Sequence, residues 1–218
     1  MEFVKLEKVN IKEDVLVVDK PKEWTSHDVV AKIRNGLFKK YEKKVKVGHG
    51  GTLDPFATGV LLILIGAATR RFEEIKDWEK EYVMEIKLGE STNTGDSEGK
   101  VIKKQKVREI DEEKTKKVLK SFKGEYEQEV PIYSAVKVDG RRLYKLARAG
   151  EKVKLPKRKV KIKEIELVSY QGLSLKVRVV CGSGTYMRQL AVDIGEKLGI
   201  SAHAKELRRT RVGEYKLE

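Results

Sequence analysis

Apolar positions along this chain fall into short runs and alternations of period two, broken by Gly, Pro or clusters of charge. Val15-Leu16-Val17-Val18, halted at Pro21, reads as a buried strand. From Ser26 to Arg34 the apolar residues return at helical spacing, with Asp28 in the first turn, so a helix begins at Ser26. His27 is read there as a solvated first-turn residue. Val45-Lys46-Val47 makes a short strand, and the uninterrupted Val60 to Ile65 must be a buried element. A helix is expected over roughly Ala67 to Trp78. Tyr82, Met84, Ile86 and Leu88 then alternate with Val83, Glu85 and Lys87, the pattern of a half-buried strand.

The polar stretch Ser91 to Gly99 reads as a turn region, with Lys100 to Val107 returning as the partner of that strand. Asp111 caps a polar amphipathic helix expected to end at Gly124. Asp139-Gly140 within Val136 to Arg142 is the signature of a tight hairpin. It leads into a short basic helix, Leu143 to Ala149, stopped by Gly150. Lys152 to Ile162 is densely basic and contains Pro156; it reads either as an exposed strand with its charges in solvent or, beside the hairpin, as a candidate RNA-contact arm. Leu173 to Cys181 alternates again, and Gly182-Ser183-Gly184 turns the chain into a helix over Thr185 to Leu198. Antiparallel-looking strands with interspersed helices predict an α+β fold. Neither an internal repeat nor a Ser/Gly/Pro linker divides the chain, so residues 1–218 are expected to be one domain.

Composition adds a partner to this picture. The 48 Lys and Arg against 34 Asp and Glu leave a net charge of +14, which favours a polyanion such as nucleic acid. A charged fraction of 38% also suits the ion-pair-rich surface of a thermophile; only the imbalance speaks for RNA. Cys181 is the sole cysteine, which excludes an intrachain disulfide and a cysteine zinc site. His27, His49 and His203 are scattered, so no metal is expected. The longest apolar run is too short to span a bilayer, and a soluble, cytoplasmic protein is expected.

One loop concentrates the candidate chemistry: Gly48-His49-Gly50-Gly51-Thr52-Leu53-Asp54-Pro55-Phe56-Ala57-Thr58-Gly59. Glycines around a His, then an Asp locked to Pro, deliver one carboxylate from a tight loop anchored on the apolar run that follows. Read alone, Asp54 could equally N-cap a short helix with Pro55 at its first position.

This loop closely resembles the catalytic-aspartate motif G-H-(T/S)-G-T-L-D-P-x-A-x-G-x-L of the TruB family of pseudouridine synthases. Further motifs follow in the family's order: Lys80-Glu81-Tyr82; Leu88-Gly89 with Thr92-Asn93-Thr94-Gly95-Asp96; Tyr133-Ser134-Ala135-Val136-Lys137 with Gly140; Gly184-Thr185-Tyr186-Met187-Arg188; and His203-Ala204 with Leu207-Arg208-Arg209. The resemblance implies a mixed, mostly antiparallel central sheet with flanking helices and a catalytic cleft. It also implies isomerisation of uridine 55 in the T-loop of tRNA, by base flipping and without cofactor or metal. Asp54 matches the family's catalytic aspartate, Arg188 its Asp-pairing arginine and Tyr82 the catalytic tyrosine that stacks on the target base and is a candidate proton-transfer group. Tyr186 matches a pocket-wall tyrosine, Leu207 an apolar residue against the flipped base, and His49 a residue filling the space the base leaves. Gly50 departs from the pattern, where the family has Thr or Ser; the expectation is a missing hydroxyl hydrogen bond and a freer loop.

The reaction requires an ionised carboxylate, and an Asp in a dry pocket needs a fixed cation nearby to stay ionised. Attack at C1′, attack at C6 and glycal formation all remain open. A basic RNA-contact arm is expected around residues 130–163, with Arg141, Arg142, Lys145 and Arg148 binding the T-arm. The chain stops soon after Gly213, so a short form without a C-terminal PUA-type domain is expected, acting as a monomer with no protein partner. An RNA-guided synthase subunit, which uses such a domain, and a silent RNA-binding protein, which has no use for Asp54 with Tyr82 and Arg188, are the competing readings.

Overall fold

Residues 6–107, 111–151 and 153–217 are described by the computed structural model. Lys152, at the head of the basic stretch, lies outside them. β1 (Glu13–Lys20) ends at Pro21 as its pattern requires, and α1 (Ser26–Tyr41) opens with a reciprocal capping box between Thr25 and Asp28. The helix starts at Ser26 as expected and runs on past Arg34 to Tyr41; His27 is exposed. β2 (Val47–His49) starts two residues later than expected, and the apolar run lies within β3 (Thr58–Gly66). The helix expected over Ala67 to Trp78 is cut short. A 3-10 turn at Ala67–Arg71 passes into the single turn α2 (Phe72–Ile75).

β4 (Lys80–Leu88) alternates as predicted, burying Tyr82, Met84, Ile86 and Leu88. Its expected partner is wrong: β5 (Glu90–Thr92) pairs with β6 (Val101–Lys104) in a separate two-stranded sheet. α3 (Glu112–Lys120) is capped by Asp111 but stops before Gly124, which instead starts β7 (Gly124–Glu129). β8 (Lys137–Val138) and β9 (Arg141–Arg142) form the hairpin over Asp139-Gly140, both residues at positive φ, and α4 (Leu143–Arg148) follows. β10 (Lys157–Gln171), β11 (Ser174–Cys181), α5 (Met187–Leu198), β12 (Ala202–Val212) and β13 (Tyr215–Lys216) complete the chain. From Lys157 onward the basic stretch is therefore a sheet strand, with Val160 and Ile162 buried and its lysines on the solvent side.

The main sheet has the order β1-β3-β12-β4-β11-β10-β7, with β2 beside β3 and β13 beside β12. β1–β3, β2–β3, β10–β11 and β7–β10 are antiparallel, whereas β12 meets β3 in parallel. The chain divides into two compact units, one of residues 1–82 and 207–218 and one of residues 83–206. In the first, Leu61, Ile63 and Ile65 of β3 pack with Val29, Val30, Ile33 and Leu37 of α1. Val60, Leu62 and Leu64, on the other face of the strand, pack with Ile75 and Val212. That double burial explains why β3 is apolar at every position from Val60 to Ile65. In the second unit a smaller cluster of Val130, Leu143 and Leu146 seats the hairpin and α4.

Candidate active site

The loop from Gly50 to Ala57 has no regular secondary structure, yet each carbonyl from Gly51 to Pro55 has a donor. Arg209 supplies the first two, Nη2 to Gly51 at 3.1 Å and Nη1 to Thr52 at 3.2 Å, while its Nε binds the Val60 carbonyl at 2.7 Å. Ser26 Oγ donates to the Leu53 carbonyl and accepts the Leu53 N–H at 2.9 Å. The Asp54 carbonyl accepts the Ala57 N–H at 3.1 Å, closing a tight turn over Pro55-Phe56. The Pro55 carbonyl takes both the Glu23 N–H at 2.9 Å and Lys20 Nζ at 3.1 Å. No helix follows Asp54, so the N-cap reading falls. Its backbone is held on both sides, and its side chain is half-buried.

Two of these donors are buried cations: Arg209 is 2% exposed and Lys20 is fully buried. The sequence places Arg209 in a motif and gives it no task. Its position explains Gly59 as well. Gly59 pairs with Arg209 across the parallel β3–β12 contact, has φ 102°, and an added Cβ would stand 2.1 Å from the Arg209 carbonyl. Only glycine lets β12 approach closely enough for the guanidinium to reach the loop.

His49 ends β2 and accepts the Gly51 N–H at Nδ1, 3.3 Å away, which puts the proton of the neutral ring on Nε2. Burial first, then the positive charge of Arg209, pushes its pKa below the usual histidine value. A neutral imidazole suits substrate engagement better than acid catalysis. Gly50 does not behave as a point of freedom. It is buried, its N–H donates to the Leu62 carbonyl at 2.8 Å, and an added Cβ would lie 2.7 Å from Ile75 Cγ2 and 3.2 Å from Leu62 Cβ. Apolar packing from Ile75 occupies the place where the family pattern puts a side chain. Tyr82, on β4, and Leu207, on β12, are both buried in this same unit.

The second unit carries Arg188 and Tyr186. Arg188 is buried in the first turn of α5; Nη2 donates to the Tyr133 carbonyl at 2.9 Å and Nη1 to that of Thr94 at 3.5 Å. Its Nη1 also stands 3.8 Å from Asp96 Oδ2, an ion pair with both side chains nearly sequestered. Asp96 is fixed in turn by Thr94 Oγ1 at 2.6 Å and the Glu98 N–H at 3.1 Å. The Thr92 to Asp96 motif thus builds an acidic socket for Arg188, a task its sequence does not disclose. Tyr186 occupies the N-cap position of α5, just before the helix settles, and packs against the cluster of Val130, Leu143 and Leu146. Arg141, Arg142 and Arg148 are exposed, and Lys145 with them lies on the outer side of the hairpin–helix segment. Arg141 forms a two-pronged pair with Glu151 at 2.8 and 3.0 Å, and Arg148 lies over the Tyr144 ring. Among the described residues no three His, Cys, Asp or Glu side chains gather as metal ligands would, and no helix is long and apolar enough to cross a membrane.

Comparison with known proteins decides the family. Residues 39–187 match the model of the TruB family pseudouridylate synthase N-terminal domain, and residues 188–218 match that of the tRNA pseudouridylate synthase B C-terminal domain. The chain belongs to the TruB family. It is 46% identical over 206 residues to a tRNA pseudouridine synthase B of Parabacteroides distasonis, covering 94% of this chain and 88% of that one. A protein of the same name from Phocaeicola vulgatus is 48% identical over 212 residues, covering 96% and 90%. Among solved structures, a chain of a Cbf5-Nop10-Gar1 complex superposes with a TM-score of 0.71 at 35% identity, over 95% of this chain and 51% of that one. Membership in TruB agrees with the α+β, mostly antiparallel architecture built above.

Proposed function

We propose that this protein isomerises uridine 55 of tRNA to pseudouridine. The observation that carries the reading is the loop in which every carbonyl from Gly51 to Pro55 is bound, so that Asp54 is delivered from fixed backbone. Relatives named tRNA pseudouridine synthase B, matched over about nine-tenths of their own length, supply the substrate. The N1–C1′ bond breaks, the base turns, C5 joins C1′, and the proton lost from C5 is balanced by one gained at N1. No electrons are exchanged with a second reagent. Asp54 meets the ribose or base as the essential carboxylate, and the Arg188 guanidinium helps keep that carboxylate ionised. Tyr82 stacks on the target base and Leu207 packs against it. Tyr186 lines the pocket, while neutral His49 fills the space vacated as the uridine is flipped from its loop.

Arg142, Lys145 and their neighbours contact T-arm phosphates. The enzyme works in the cytoplasm as a monomer, and its charge-rich surface suits a warm habitat. An RNA-guided role has less support: the matching chains of a Cbf5-Nop10-Gar1 complex, an archaeal box H/ACA sRNP and an H/ACA RNP bound to a substrate RNA are 32–35% identical to this one, which covers about half of each. Purified protein incubated alone with unmodified tRNA transcript tests the reading. A single pseudouridine at position 55 is the expected product; an unmodified transcript, or modification only when a guide RNA is added, would overturn it.

A further inference from the structure

α5 begins without any side-chain cap of its own. An α-helix start leaves backbone N–H groups that need partners, and the first residue's direction is loose unless something fixes it. Here the fixing group comes from another strand. Gln128, on β7 and completely buried, accepts the Tyr186 N–H at Oε1, 2.8 Å, and donates from Nε2 to the Tyr186 carbonyl at 3.1 Å. One side-chain amide therefore pairs with both polar groups of one residue, as a neighbouring strand would. The Tyr186 carbonyl also accepts the first helical N–H, that of Leu190, at 3.0 Å.

A chain of hydrogen bonds sets which way the amide faces. Tyr126, two residues earlier on the same side of β7, lies with its hydroxyl 2.6 Å from Gln128 Nε2 and 3.4 Å from Asp193 Oδ2. Burial raises the Tyr126 pKa, so it keeps its proton and donates it to Asp193, leaving its oxygen to accept from Gln128. Gln189 Nε2 holds the other Asp193 oxygen at 2.9 Å. With Nε2 committed to Tyr126 and the Tyr186 carbonyl, Oε1 must face the Tyr186 N–H. Both hydrogens of the amide are used.

We propose that Gln128 is a positioning residue for the reaction: by clamping the Tyr186 peptide it fixes the origin of α5 and so the direction from which Arg188, two residues on, presents its guanidinium. This rests on the role given to Arg188 under the proposed function. Asn at position 128 would be too short to hold both groups, and Glu would set a carboxylate oxygen against the Tyr186 carbonyl. Met keeps the volume and removes both bonds.

A double-mutant cycle tests the inference by single-turnover rate at saturating tRNA, with tRNA affinity and thermal unfolding measured beside it. Gln128→Met should slow the wild type by roughly 10- to 100-fold while changing tRNA affinity less than about twofold. In an Arg188→Ala background the same change should cost no more than about twofold, because there is no guanidinium left to misplace. Equal losses in both backgrounds, or a rate loss that disappears once affinity is restored by more tRNA, would overturn the proposal. Should Gln128→Met fail to fold, Gln128→Glu, which keeps one bond and the shape, enters the same cycle with the same criterion. A full-speed Arg188→Ala enzyme would instead show that the role given to Arg188 is wrong, and Gln128 would lose its target with it.

Discussion

The Asp54 loop and the hairpin–helix segment from Lys137 to Arg148 are both polar and rich in glycine or charge, yet they are built on opposite principles. In the loop, each backbone carbonyl from Gly51 to Pro55 is committed: the buried Arg209 and Lys20 give up their water and replace it with bonds to such carbonyls. In the hairpin–helix, the cations stand in solvent, and the pair Arg141 makes with Glu151 is an exposed one, of the sort worth little to stability. Burying a cation against neutral carbonyls is costly unless all of its donors are used. That cost is reasonable where one carboxylate must be held still. Long-range attraction of a polyanion asks only for mobile charge. The contrast suits the proposed division, with bond chemistry at the loop and docking on the exposed basic face.

The contrast breaks most visibly at its centre. Asp54→Asn should lower the single-turnover rate on the order of 10⁴-fold or more, as removal of a group that acts only in bond making does. Next in size is the frame around it. Arg209→Met removes the donor from the buried Val60 carbonyl, at about 1–3 kcal/mol for a buried unsatisfied group, and from the part-buried carbonyls of Gly51 and Thr52, which add less, so the total should reach roughly 2–4 kcal/mol. Arg209→Lys should recover only part of it, since an ammonium cannot span three acceptors in that plane. Chemical denaturation read against the wild type gives both numbers; a loss under about 1 kcal/mol for Arg209→Met would mean that the loop holds itself.

Gly50 sharpens the same point by packing rather than hydrogen bonding. Gly50→Ser pushes a Cβ into Ile75 Cγ2 and should destabilise by about 1–3 kcal/mol, the usual range for overpacking. Ile75→Leu moves the branch away from that Cβ, so the double variant should be more stable than Gly50→Ser alone. If both have equal melting temperatures, the fit between these two residues is not what holds the turn. The smallest effects belong to the exposed face. Arg142→Glu with Lys145→Glu should weaken tRNA binding by roughly tenfold at moderate salt and reduce the log–log salt slope by about two, one for each phosphate no longer neutralised. Folding stability should change by no more than about 0.5 kcal/mol, as for other surface substitutions.

How much of the molecule is legible in the sequence depends on how local the cause is. The alternation of β4, the Asp139-Gly140 turn and the start of α1 are set by neighbours within a few residues, and each is present in the structure. β12 is hidden because Lys205-Glu206-Leu207-Arg208-Arg209-Thr210-Arg211 has the composition of a surface segment. Its burial at Arg209 exists only because the loop carbonyls of Gly51 and Thr52 come from far along the chain. Likewise Lys100 to Val107 reads as the partner of β4, since sequence pairs nearest neighbours, whereas β6 closes on β5. Ala67 to Trp78 has helical composition, but its turn of 3-10 helix gives way to a single α turn. The Asp54 loop is visible as a motif. What holds it is not, because Ser26, Lys20, Glu23 and Arg209 reach it from other parts of the chain.

The division between loop and basic face meets its most direct test in one single-turnover titration, giving rate and affinity together, of unmodified tRNA transcript with wild type, Asp54→Asn and the Arg142→Glu/Lys145→Glu variant. The account predicts that Asp54→Asn loses rate and keeps affinity, while the double charge reversal loses affinity and reaches the wild-type rate at saturating tRNA. An Asp54→Asn rate within tenfold of wild type, or a charge-reversed enzyme that stays slow at saturation, would contradict it.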